Sequence, residues 1–111
     1  MRRGDLVTVA VQGNYGKPRP AVVIQADVFI DHTSITFLPL TSFLVEAPLL
    51  RYTILPDKEN GLAKISQVMI DKIMTLPKKK VGKVIGRLSG KEMKQITSRL
   101  ALFIGIGELG T

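Results

Sequence analysis

The sequence predicts an α+β fold: a small β-barrel-like domain of about five to seven short strands followed by a single C-terminal helix. Three observations carry this. Short β-branched and apolar runs recur along the first three quarters of the chain, separated by clusters of Gly, Pro, Asn and Asp. Helical periodicity occurs convincingly only once, near the end. The 111 residues suffice for one core and are too few for two, so a single domain is expected across 1–111.

The elements follow in chain order. DLVTVAV (5–11) is β-branched and apolar, a good strand. QGNYGKPRP (12–20) holds two glycines, an asparagine and two prolines, a loop with no room for regular structure. AVVIQAD (21–27) is a continuous apolar run, short enough for a strand buried on both faces. FIDHT (29–33) turns the chain into the strand SITFLPLTS (34–42), where Pro39 lacks an N–H and is expected at an end or edge. FLVEAP forms a second loop before LLRYTILP (49–56), in which Leu50, Tyr52 and Ile54 alternate with Arg51, Thr53 and Leu55. DKENG (57–61) is a turn cluster, and LAKISQVMIDKIMTLP (62–77) has strand composition with a break near Asp71 and Lys72. Ser89 followed three residues later by Glu92 is a capping-box signature. Beyond it Met93, Ile96, Leu100, Phe103 and Ile104 fall on one apolar face, giving a helix over about 90–105 and a tail over 106–111.

Composition narrows the function classes. There is no Cys and one His, His32, so thiolate and His-rich metal sites are excluded and no metal or other cofactor is expected; a Cys-free chain also fits a reducing cytoplasm. The longest charge-free run, His32–Val45, has 14 residues and contains Pro39, short of a spanning helix. MRRGDLVTV lacks the apolar stretch of a secretion signal. A soluble cytoplasmic protein without a membrane partner is therefore expected. The net charge of +7 is uneven: residues 1–55 carry five Lys and Arg against four Asp and Glu, residues 56–111 eleven against five. Such an excess favours an anionic partner, nucleic acid or an acidic protein segment, although it also serves solubility alone.

Three segments together, RGDLVTV, GKPRPAVVIQAD and FLPLTS, resemble the MazF/PemK family of toxins. The order GLAKISQVMIDKI, strand, KKKVGKVIGRLSG, helix is similar to the second half of many members, so the likeness runs over roughly residues 3–105. Its most specific part is the Arg-Pro pair entering an apolar strand, with a Pro-x-Thr-Ser strand end about 20 residues on. The resemblance implies an SH3-like or CcdB-like barrel with a C-terminal helix, acting as a homodimer. It implies metal-independent cleavage of single-stranded RNA, messenger RNA above all, at short sequences. It also implies a cognate antitoxin whose acidic, flexible segment occupies the RNA groove.

Cleavage of this kind turns the ribose 2′-hydroxyl on the adjacent phosphate, and needs a cation over the phosphorane-like transition state. Arg19 is the candidate, since a guanidinium forks onto phosphate oxygens and Pro18 and Pro20 stiffen its mount. The resemblance places the family's active-site arginine there and its threonine at Thr41. The bland readings are a solvated loop arginine and ordinary turn chemistry at Thr41–Ser42. Candidate RNA contacts are Asn14, Tyr15 and Lys17 in the loop before Arg19, then Ser42, Lys64 and Gln67; Tyr15 can stack a base. One branch of the family has a His in that loop and an Arg-x-Asp-Gln segment later. This chain reads GNYGKP and Lys64-Ile65-Ser66-Gln67 instead, which leaves the proton-transfer groups unassigned. His32, in its turn, and Lys78-Lys79-Lys80 read as solvated. Two other classes compete: a CcdB-like toxin that poisons DNA gyrase and cleaves nothing, and a barrel that binds nucleic acid without chemistry.

Overall fold

A computed structural model describes residues 1–10 and 17–106. Its strands are β1 (Asp5–Val9), β2 (Arg19–Val23), β3 (Ser34–Thr41), β4 (Arg51–Ile54), β5 (Ser66–Met69), β6 (Met74–Pro77) and β7 (Val81–Arg87), followed by the helix α1 (Gly90–Phe103). All pairings are antiparallel, in the order β4-β5-β3-β2-β1-β7, with β6 also on β3. The seven strands and terminal helix agree with the expected class. Closure of the barrel is not detected among the described residues: no pairing joins β7 to β4 or β6, so the outer edges of β4, β6 and β7 are open.

β3 is the hinge of this arrangement. One of its edges pairs with β2 through Ala21–Pro39, Val22–Leu38 and Val23–Phe37. The other pairs first with β6, from Ser34 to Phe37, and then with β5 at Leu40 and Thr41. Pro39 is thus interior to the strand and buried, contrary to the expectation of an end or edge. It is tolerated because it falls at the step where β6 has ended and β5 has not begun, a position with no ladder bond to lose.

The pleat sends alternate side chains to opposite faces, and both faces are covered. Leu6, Val22, Leu38 and Leu40 join Ile54, Val68, Ile70, Met93 and Ile96 in the core between sheet and helix. Val7, Val9, Ala21, Val23, Ile35 and Phe37 form the second core, with Val81, Met74 and Leu76. This is why residues 21–23 are apolar without alternation.

The capping box of α1 is complete: Ser89 Oγ accepts from Glu92 N at 3.1 Å and Glu92 Oε1 accepts from Ser89 N at 2.9 Å. The helix stops at Phe103, two residues early, and residues 107–111 of the expected tail lie outside the described residues. Met93 and Ile96 are buried and Leu100 packs on the same core, but Phe103 and Ile104 are about half exposed. The apolar stripe therefore outruns the sheet that its first turns cover.

Candidate active site

Register brings the two leading residues together. Ala21 pairs with Pro39, and continuing that register by two residues sets Arg19 at the start of β2 across from Thr41 at the end of β3. Both steps preserve the face of the sheet, so the side chains emerge on one side. Arg19, Leu40, Thr41 and Ser42 line two adjoining clefts of about 300 and 200 Å³. The larger is completed by Phe43, Met69, Lys72 and Met74, the smaller by the prolines beside Arg19 and by Leu62, Ala63, Lys64 and Ser66. The described lining holds three cations and three hydroxyls, and no carboxylate or His. Such a surface fits a polyanion.

Arg19 is exposed, and among the described residues its side chain has no hydrogen-bond or ion-pair partner. Thr41 is half-buried, and its Oγ1 accepts from Phe43 N at 3.1 Å. That is the local turn chemistry of a strand-end threonine, yet it leaves the hydroxyl proton free to donate into the cleft.

Of the proposed RNA contacts, Ser42 lines both clefts and Lys64 one. Lys17 is exposed beside Pro18 but lines neither, while Asn14 and Tyr15 lie outside the described residues. Gln67 lines a separate pocket with Val45, Arg51, Thr53 and Arg99. It is 7% exposed, lines neither cleft, and its amide is bonded to the Val45 backbone and to Thr53. His32 is exposed and lines a pocket with Lys78 and Lys79 at the opposite end of β3.

Lys72 is the cleft cation that sequence reasoning missed. It stands in the break between β5 and β6, and its Nζ lies 3.6 Å from Asp71 Oδ2. Burial alone pushes the Asp71 carboxyl up. The hydrogen bond from Arg51 at 2.6 Å, the residue's own backbone N–H and the charges of Arg51 and Lys72 outweigh it and hold the carboxyl below its ordinary value. The break read at Asp71–Lys72 was the available signal: a charged pair ending a strand beside the active strand end.

An antiparallel α+β domain with a cationic, hydroxyl-lined groove at one end of its central strands is the class that fold and site define. Residues 2–104 match the family described as PemK-like, MazF-like toxin of type II toxin-antitoxin system, and the chain belongs to that family. It is 43% identical over 107 residues to the probable endoribonuclease MazF of Mycolicibacterium smegmatis, covering 96% of this chain and 98% of that one. The fold is similar to that of a mycobacterial endoribonuclease in complex with its cognate antitoxin (TM-score 0.80, 20% identity, 97% and 98% covered). It is also similar to the Mycobacterium tuberculosis toxin MazF-mt6 (TM-score 0.79, 21% identity, 94% and 99% covered).

Proposed function

We propose that the chain is a toxin endoribonuclease that cuts single-stranded RNA, messenger RNA above all, at short sequences without a metal. In the cytoplasm it is neutralised by a cognate antitoxin whose acidic segment competes for the same groove. The observation that carries this reading is the placement of Arg19 and Thr41 on the ridge shared by two cationic clefts.

In this reading the scissile phosphate sits between Arg19 and Thr41. The 2′-oxygen bonds to phosphorus and the bond to the 5′-oxygen breaks, with one proton passing from the first oxygen to the second. Charge on the phosphorane oxygens is met by the forked guanidinium and by the Thr41 O–H, whose oxygen is polarised by the Phe43 N–H. Lys64 and Lys72, in the smaller and larger cleft, draw in the neighbouring phosphates. Among the described residues the cations and hydroxyls of the lining come with no anionic ligand for a divalent ion, which supports a reaction that needs none. A homodimer belongs to the same reading, supported by the exposed Leu49, Leu50 and Phe103 around an apolar groove of about 460 Å³.

The test is mixed-sequence RNA incubated with wild-type and Arg19→Ala protein, each without EDTA and in excess EDTA. Discrete fragments from the wild type are expected, with the Arg19→Ala rate lower by roughly 10²–10³-fold and the thermal transition unchanged. Intact RNA with both proteins overturns the nuclease reading and favours a non-cleaving poison; cleavage lost only on adding EDTA overturns metal independence.

A further inference from the structure

The segment after Thr41 has little apolar burial to hold it in place. Phe43 is 77% exposed, Leu44 49% and Val45 39%. It is fastened instead by polar bonds at two points. At the near end Phe43 N donates to Thr41 Oγ1 at 3.1 Å. At the far end the buried Gln67 amide grips Val45 from both directions: Val45 N donates to Oε1 at 3.0 Å, and Nε2 donates to Val45 O at 3.1 Å. The remaining Nε2 hydrogen goes to Thr53 Oγ1 at 3.2 Å. Both donors of the amide are spent, and the opposite amide orientation would set N–H against N–H. Gln67 is also the residue directly opposite Thr41 in the β3–β5 ladder.

We propose that Gln67 is a positioning residue: by clasping Val45 it holds the 42–45 segment so that Phe43 N–H fixes the Thr41 hydroxyl and Ser42 and Phe43 keep the cleft wall in place. This rests on the reading that Thr41 and Arg19 act on the scissile phosphate. Gln67 does not touch RNA in this arrangement; it acts through the segment that does. A loosely attached segment opens locally at low cost. Catalysis is more sensitive to this than binding, since a displacement of about 1 Å can cost on the order of a hundredfold in rate.

The experiment uses the full chain with Gln67→Met, which keeps length but makes none of the three bonds, and Gln67→Glu, which keeps only the acceptor for Val45 N–H. Three quantities are read: kcat and KM on an RNA that the wild type cuts, affinity for the DNA counterpart of that RNA, which lacks the 2′-hydroxyl, and amide exchange at Phe43 and Val45. Gln67→Met is expected to lower kcat by roughly tenfold or more, to speed exchange at both amides and to leave affinity for the DNA unchanged, with Gln67→Glu, whose second oxygen opposes Val45 O, impaired at least as much. Affinity that weakens in step with kcat would make Gln67 an RNA contact and overturn the proposal. So would unchanged kcat despite faster exchange, or unfolding of both variants, which would make the residue a support of the fold itself. Arg19→Ala measured alongside separates the failures: if it still cleaves, the site reading is lost, whereas an inactive Arg19→Ala with a fully active Gln67→Met removes only the clasp.

Discussion

Replacing Asn60 by Ala removes the hub of the turn that leads into Leu62 and Ala63 of the smaller cleft. Asn60 is fully buried, although it lies in a cluster of turn residues. Its Oδ1 accepts from Asp57 N at 3.1 Å and Leu62 N at 3.0 Å, and its Nδ2 donates to Leu55 O at 2.9 Å. Water has poor access because β7 seals the turn. A Cβ on Gly86 would stand 2.3 Å from the Asn60 carbonyl, Gly61 at φ +66° faces Ile85 O, and Arg87 N donates to Glu59 O at 2.8 Å. The Leu62 bond is buried and the other two are partly so. One orphaned buried N–H at about 1–3 kcal/mol and two weaker losses near 0.5–1 kcal/mol each sum to about 3 kcal/mol. For a domain of this size that lowers Tm by roughly 12 °C. Urea unfolding followed by circular dichroism measures it as a lower midpoint with an unchanged slope. A loss below about 1 kcal/mol would refute the reasoning, because the turn would then satisfy its backbone groups without Asn60.

Two further outcomes follow from the site. Thr41→Val deletes both the donor to the phosphate and the acceptor for Phe43 N–H, so initial cleavage rates should fall by roughly tenfold or more, further than in Ser42→Ala; the reverse order would move the hydroxyl's role to Ser42. Asp71, held below its ordinary value near 3.8, stabilises the fold fully above that pH and loses this contribution as pH falls through the lower native value. The difference in urea midpoint between wild type and Asp71→Asn should therefore be widest above pH 3.8 and close below it; a gap independent of pH would show that the ionised pair is not its source.

Much of the fold was legible in order along the chain, because its signals are local. β2 was readable as doubly buried from its unbroken apolar run, the break between β5 and β6 from Asp71–Lys72, and the helix start from Ser89 and Glu92. Pro39 misled, since a proline's tolerance depends on which neighbour its strand edge meets, and β3 exchanges β6 for β5 at that point. Asn60 carried no sign of burial, because what buries it is the close approach of Gly86 from 26 residues away.

By itself the sequence determined the strand and helix segments, the cap, the uneven positive charge and the candidacy of Arg19 and Thr41, all properties of adjacent residues or of a recurring motif. The tertiary structure decided which side chains share a groove. Register across the β2–β3 pair sets Arg19 beside Thr41, and the turn after β5 brings in Lys72. The physical reason is plainest at Gln67: which groups a strand-borne amide bonds depends on what packs over it. Here that is Val45, a partner 22 residues away whose bonds exist only once both loop and sheet are in place.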